Sequence, residues 1–224
     1  MAYSTVHIMR HGEVHNPEGV LYGRIPGYHL SERGHAMARR VADVLSGGDH
    51  DLRAVVASPL ERAQQSARPT AEAFEVPLRS DPDLIEAGNS FEGLQINKNL
   101  AQLALPRYWP RYINPFTPSW GEPYTEIVAR MSRAVRGCLD LIPDGGEVLA
   151  VSHQLPIWTL RRFLESKPLA HDPRHRECAL ASLTTLTFDR RRLVALTYWE
   201  PAADLVARAS DMVPGTSNAE TAGT

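Results

Sequence analysis

Three short segments of this 224-residue chain carry side chains that can do chemistry together. Arg10-His11-Gly12 follows the apolar run 6–9, Ser58-Pro59-Leu60-Glu61-Arg62 follows the run 54–57, and Ser152-His153-Gln154 follows the run 148–151. In an open α/β sheet, ligands bind outside the carboxyl ends of the strands. If the three runs are parallel strands, Arg10, His11, Arg62 and His153 meet at one end of the sheet. Helix N-termini would lie nearby and offer N–H groups to an anion. The ligand expected there is a phosphoryl group. A histidine in such a place has two open roles: it neutralises phosphate, or its neutral imidazole attacks phosphorus and forms a phosphohistidine. In the second role, bidentate arginines stabilise the charge developing on the equatorial oxygens. A carboxyl group with a raised pKa then protonates the leaving alkoxide.

The elements that must position these groups are legible from periodicity. The runs 6–9, 54–57, 148–151 and 183–188 are apolar on both faces and rich in Val and Leu, as buried strands are. Helical spacing fills the gaps: Ser31 caps a helix running to Leu45 that Gly47-Gly48 stops, and further helices are expected over 61–74, 125–141 and 155–164. Pro156 is tolerated in a first turn. This alternation predicts an α/β fold with helices on both faces of one sheet. One domain is expected over 1–212. A stretch dense in Pro and aromatic residues, within an insertion over about 97–123, cannot be a regular helix and is expected to lie ordered on the domain. It serves either as a lid carrying Arg107 and Arg111 or as extra cover for a sheet edge. The polar tail 213–224 is expected to be disordered.

Composition narrows the function classes. Twenty-four Lys and Arg against 26 Asp and Glu leave a net charge of −2, which argues against a general nucleic-acid binder. No apolar run approaches the roughly 20 residues a membrane span needs, and Arg10-His11 comes too early for a signal peptide's apolar core. Cys138 and Cys178 match no metal or disulfide framework, so a cytoplasmic location is expected. The chain has no G-x-x-x-x-G-K-[ST] loop, no H-E-x-x-H and no tight Asp/Glu cluster, so chemistry without metal or cofactor is expected.

Arg10-His11-Gly12-Glu13 after an N-terminal strand, Ser58-Pro59-x-x-Arg62-Ala63 and Val151-Ser152-His153 together resemble the histidine phosphatase superfamily, the phosphoglycerate mutase-like family, over roughly residues 4 to 190. Each tripeptide alone is weak and the ordered set is strong. The resemblance implies a three-layer α/β/α sandwich with a mostly parallel central sheet and a nucleophile at His11. It implies phosphate ligands at Arg10, Arg62 and His153, and a proton donor at Glu86 in Leu84-Ile85-Glu86. The chain also departs from the family's pattern. Asn16 stands five residues after His11 where the family has Asn at six, and is taken as a phosphate ligand. Phe91-Glu92-Gly93 arrives one residue early. Gln154 replaces a small Gly and either fills the pocket or aims its amide at the substrate. Gly121-Glu122-Pro123 stands where many relatives have Gly-Glu-Ser, with Arg130 further along.

Plainer readings stand beside these. His11 and His153 could be strand-end and helix-capping residues, and Arg62 a surface arginine opposed by the helix dipole, although a bound anion removes that objection. Glu13 or Glu92 could replace Glu86 as the acid. Arg24 reaches the pocket rim or sits in a surface turn. The other histidines, among them His7, His50 and His171, read as structural or surface residues, with only His15 near enough to His11 to stay open, and Arg190-Arg191-Arg192 reads as a hairpin turn. The expected function is hydrolysis of a small phosphomonoester by a monomer or homodimer, with no nucleic-acid or membrane partner. Phosphoglycerate mutase-type transfer and a non-catalytic phospholigand-binding module are the alternatives. The insertion lacks the Arg-Arg-Ser-Tyr-Asp-like segment of known mutases, which weighs against transfer.

Overall fold

Side-chain alternation decides how the central strands lie. In the computed structural model, Val6 and Ile8, Ala54 and Val56, and Val148 and Ala150 face one cluster of buried residues. Their neighbours Met9, Val55 and Ala57, and Leu149 and Val151 face another. Successive strand residues point to opposite faces, so a strand apolar at every position needs a cover on each side. Helices supply both covers, which gives three layers.

The structure describes residues 3–95, 121–207 and 209–211. Arg107, Arg111 and most of the aromatic insertion lie outside these residues, as does the tail from 212. The elements in chain order are β1 (Tyr3–Arg10), α1 (Glu32–Ser46), β2 (Leu52–Ala57), α2 (Glu61–Ala73), β3 (Leu78–Ser80), α3 (Tyr124–Asp140), β4 (Gly146–Ser152), α4 (Gln154–Leu164), β5 (Leu183–Asp189), β6 (Arg192–Trp199) and the short α5 (Ala203–Val206). The sheet order is β3-β2-β4-β1-β5-β6. The neighbours from β3 to β1 pair in parallel, while β5 runs antiparallel to both β1 and β6. The sheet is therefore mostly parallel, as expected, with β5 alone reversed.

Helices α1 and α2 cover one face through Met37, Val41, Leu45, Ala63 and Ala67. Helices α3 and α4 cover the other through Ile127, Met131, Ile157 and Leu160. Fully burying a side chain of this size contributes roughly 1.5–3 kcal/mol. Ser31 caps α1, its side chain accepting from the Gly34 N–H, and Gly47 follows the helix end. Two strands are additions to the sequence reading. β3 has only three residues, too short to show a period. β6 is an edge strand that is mostly exposed or half-buried, so it lacks the apolar run of a central strand. Arg190 takes φ +57° in the turn between β5 and β6, and Arg191 pairs with Asp140, so the arginine run does form a hairpin turn.

Candidate active site

The three chemistry-bearing segments leave adjacent strands. β4 lies between β2 and β1, with Arg10 in register with Ser152 and Ala57 with Val151. Beyond the ladder, the His11 N–H donates to Ser152 O at 3.1 Å and the Ser58 N–H to Val151 O at 2.9 Å. Strand order thus places Arg10, His11, Arg62 and His153 together, all nearly fully buried. The His11 and His153 ring centroids are 5.1 Å apart.

His11 is held in one tautomer. Its Nδ1 lies 2.8 Å from Gly12 O, and a carbonyl only accepts, so Nδ1 carries the proton and Nε2 keeps its lone pair. Burial, then the charges of Arg62 and Arg10, hold the ring's pKa well below the usual histidine range, so the imidazole is neutral. Gly12 is required for packing: a Cβ there would sit 2.6 Å from Gly34 O, so the loop after β1 and the start of α1 meet backbone to backbone. The Gly12 N–H donates to Ser66 Oγ at 3.0 Å, and that hydroxyl donates to Arg62 O at 2.7 Å, tying the loop after β1 to α2.

The cations are fixed by the protein around them. Arg10 donates to Cys178 O at 2.8 Å and to Asp211 at 2.7 Å. Burial alone would lower its pKa, but the Asp211 carboxylate outweighs this and raises it. Arg62 donates to Gly23 O at 2.7 Å and lies over the Tyr22 ring, 4.7 Å from its centroid. The Nε atoms of both arginines are buried without a hydrogen-bond partner among the described residues. His153 has Nδ1 3.3 Å from Arg62 Nη2 and Nε2 2.8 Å from Ser58 Oγ. A guanidinium only donates, so Nδ1 accepts and Nε2–H donates to the serine. Burial, then the charge of Arg62, pushes this imidazole's pKa well down.

Glu86 approaches from the loop after β3. Its Oε2 is 4.0 Å from His153 Nδ1, and its Oε1 accepts from the Ala87 N–H at 2.8 Å. Burial raises its pKa against the opposing pull of that hydrogen bond and of Arg62, which favours the protonated acid. The loop is clamped from three sides. Ser152 Oγ donates to Leu84 O at 2.7 Å, Arg130 to Asp83 O at 2.7 Å and Ile85 O at 2.6 Å, and Arg24 to Glu86 O at 2.6 Å. A neutral imidazole, two guanidiniums and a carboxyl with a raised pKa thus lie close together at the carboxyl ends of the strands.

The family model described as "Histidine phosphatase superfamily (branch 1)" matches residues 6–201. The chain belongs to that superfamily. It is 54% identical over 203 residues to an uncharacterized protein of Mycobacterium tuberculosis, Rv0525, covering 88% of this chain and 96% of that one. It is 29% identical over 166 residues to the adenosylcobalamin/alpha-ribazole phosphatase of Salmonella typhimurium, covering 73% of this chain and 80% of the other. Among solved structures, the mycobacterial glucosyl-3-phosphoglycerate phosphatase Rv2419c superposes with a TM-score of 0.69 at 25% identity, over 88% of this chain and 99% of that one.

Within this member of the superfamily the other residues singled out from the sequence have separate places. Gln154 opens α4 beside His153, buried, with Oε1 accepting from Arg176 at 3.1 Å. Asn16 turns both ends of its amide onto Val20, at 2.9 and 3.0 Å, and so closes the loop after His11. Arg24 sits on the rim with a side chain 38% exposed, bridging Glu86 O and Glu122. The two alternative acids are engaged elsewhere. Glu13 binds Ser31, Arg33 and the Ser210 N–H, and Glu92 accepts from the Arg24 and Asn89 N–H groups.

Sequence reasoning missed Tyr22, Arg176 and Asp211 at this site, and it noted Arg130 without its role. Arg130 forms a fork on Glu122, at 2.7 and 3.1 Å, and this pair holds the Glu86 loop. Only the Glu122…Arg130 spacing across the start of α3 signalled the pair. Among the described residues, one group has metal-ligand spacing: His7, His50 and Glu147. Both imidazoles bond the same carboxylate oxygen, at 2.9 and 2.7 Å, and His7 Nδ1 lies 2.9 Å from Thr185 Oγ1. It belongs to a separate cluster, with Glu147 near the start of β4 and His50 just before β2.

Proposed function

We propose that this chain is a phosphatase that hydrolyses a small phosphomonoester without a metal ion, through a phosphohistidine on His11. The observation that carries the reading is the His11 ring itself. Its proton is committed to Gly12 O, its Nε2 lone pair is free, and Arg10 and Arg62 flank it.

The steps follow from these atoms. Nε2 attacks phosphorus in line with the ester oxygen, and the P–O bond to the leaving group breaks as the N–P bond forms. Arg10 and Arg62 hold the equatorial oxygens and supply the charge that a divalent cation supplies in other phosphoryl-transfer sites. His153, with its Nε2–H on Ser58 and its Nδ1 accepting from Arg62, steadies that guanidinium. Protonated Glu86 gives its proton to the departing alkoxide. A water then loses a proton to the Glu86 carboxylate and attacks phosphorus, the N–P bond breaks, and phosphate leaves with His11 neutral again. The similarity to two phosphatases supports hydrolysis over transfer.

The deciding experiment measures phosphate release from a phosphomonoester panel, with chelator present, for the wild type and His11→Ala. Release by the wild type alone is the expected result. Isomerisation of phosphoglycerate without net release would replace hydrolysis by mutase-type transfer. Phosphate binding with no turnover of any substrate would make the chain a binding module.

A further inference from the structure

The cluster of His7, His50 and Glu147 lies towards the end of the sheet away from the candidate active site. Glu147 stands at the start of β4 and His7 within β1, so at about 3.3 Å per strand residue the cluster is roughly 13–20 Å from His11 and His153. Backbone pairing assembles it from three separate segments. β1 and β4 run parallel with Thr5 opposite Glu147 and His7 opposite Leu149, so His7 and Glu147 face the same side of the sheet. The Glu147 N–H donates to Asp51 O at 2.9 Å, which brings the adjoining His50 to that side chain. Both imidazoles then reach one oxygen, Glu147 Oε2, from His7 Nε2 at 2.9 Å and from His50 Nδ1 at 2.7 Å. Behind His7, Thr185 Oγ1 of β5 lies 2.9 Å from Nδ1.

Two imidazole nitrogens and one carboxylate oxygen make the His₂Glu donor set that zinc takes in three-ligand sites, with water in the fourth position. Here the three ligating atoms lie within 4.8 Å of one another. Bonds of about 2.0–2.2 Å put two ligands of a tetrahedral site about 3.3–3.5 Å apart, so the contacts of 2.7 and 2.9 Å open by roughly half an ångström around an ion. The side chains of His50 and Glu147 are 25% and 20% exposed, which gives the ion a way in and leaves room for water. Protons do not stand in the way. A carboxylate only accepts, so without an ion each ring turns an N–H to Oε2. To ligate, His7 carries its proton on Nδ1 instead, where the Thr185 hydroxyl accepts it, and an outer partner of this kind fixes a ligating ring. His50 carries its proton on Nε2. Two rings that start neutral thus release no proton, and Glu147 supplies one negative charge to a divalent cation. Magnesium and calcium take oxygen ligands, whereas imidazole suits zinc and its transition-metal neighbours.

We propose that His7, His50 and Glu147 hold a divalent transition-metal ion of the zinc type, which ties β1, the start of β4 and the loop before β2 together. The ion is structural: it lies away from the atoms of the phosphoryl step and takes no part in it. The assignment does not rest on the phosphatase reading, and either can fail without the other. In the metal-free protein the three groups satisfy one another, and the ion replaces two N–H···O bonds with three coordinate bonds. Thr185 acts as a positioning residue for His7.

The test strips the full chain with chelator and titrates it with Zn²⁺ or Mg²⁺ by calorimetry. One zinc ion per chain should bind, with Mg²⁺ silent, and zinc at about 100 times its Kd should raise Tm by about 5–10 °C. Losing the outer partner of a ligand weakens metal binding by about 10- to 100-fold. Thr185→Val should fall in that range, and His50→Gln and Glu147→Gln, which remove ligands, beyond it. His11→Ala should bind zinc as the wild type does. No binding by the wild type, or unchanged affinity in His50→Gln, would overturn the proposal. Loss of binding in His11→Ala would overturn it by moving the ion to the candidate active site, and Mg²⁺ binding as tightly as zinc would overturn the choice of metal. Should a variant not fold, the imidazole NMR signals of the wild type decide. Zinc should shift those of His7 and His50 and leave those of His11 and His153 in place; the reverse overturns the site.

Discussion

The molecule carries two pairs of histidines whose surroundings are opposite in charge. At the carboxyl end of the sheet, His11 and His153 sit among Arg10 and Arg62, with rings held neutral by burial and neighbouring cations. In the second cluster, His7 and His50 close on one oxygen of Glu147. The first pair leaves donors unspent, Arg10 Nε and Arg62 Nε, and a lone pair on His11. Without a cation, the second spends its groups on one another. A buried polar cluster that satisfies itself contributes stability, whereas one left incomplete is completed by a ligand. Residue type is the same in both places; the charge around it divides them.

Removing one member from each cluster should therefore give opposite phenotypes. His11→Ala should lower turnover by about three or more orders of magnitude, as loss of a nucleophile does, while its urea midpoint stays near that of the wild type. Residual activity close to wild type would break the comparison at its centre. Arg62→Ala comes next, with an expected loss of about 10²–10³ in kcat from removing a preorganised donor to developing charge, read by steady-state kinetics on one substrate.

Glu86→Gln sharpens the picture through the leaving group. General acid catalysis contributes about 10²–10⁴, so alkyl phosphates should lose most of that and aryl phosphates, whose leaving groups need less protonation, much less. Because burial raises the Glu86 pKa, wild-type kcat/KM on alkyl phosphates should fall as pH rises through that raised value, and the limb should vanish in the variant. Equal losses on both substrate classes would make Glu86 a structural residue.

The smallest effect belongs to the second cluster. Burial alone would raise the Glu147 pKa, but the bonds from His7 and His50 outweigh it and the pKa is lowered. A depressed carboxylate stabilises the fold above its unfolded pKa, and that contribution fades as pH falls through the folded value. Glu147→Gln should thus cost about 1 kcal/mol at neutral pH, discounted for a partly exposed group, and progressively less in acid. Urea denaturation in chelator at both pH values measures this, and turnover should be unchanged.

Some of this was legible in the sequence because it is local. A polar tripeptide directly behind a buried apolar run fixes where Arg10, His11 and His153 stand on the sheet, and the helical period places Arg62 in the first turn of α2. Two strands escaped, because three residues of β3 show no period and edge strand β6 is mostly exposed. The residues that complete the site escaped for a different reason. Arg10 meets Asp211 across 201 positions, Ser152 holds Leu84 across 68, and Arg176 reaches Gln154 across 22. Such pairings leave no period and no spacing behind.

By itself, then, the sequence pointed to a kind of chemistry, since Arg10 and His11 at the end of one strand, Arg62 behind a second and His153 behind a third suit a phosphoryl group. Tertiary structure alone decided which charges are compensated. Inserting β4 between β2 and β1 brought the cations together, and the return of distant carboxylates neutralised Arg10 and Arg130 while Arg62 and Arg176 meet none among the described residues. Desolvation makes that distinction matter, because an unpaired charge costs little in water and several kcal/mol inside a protein.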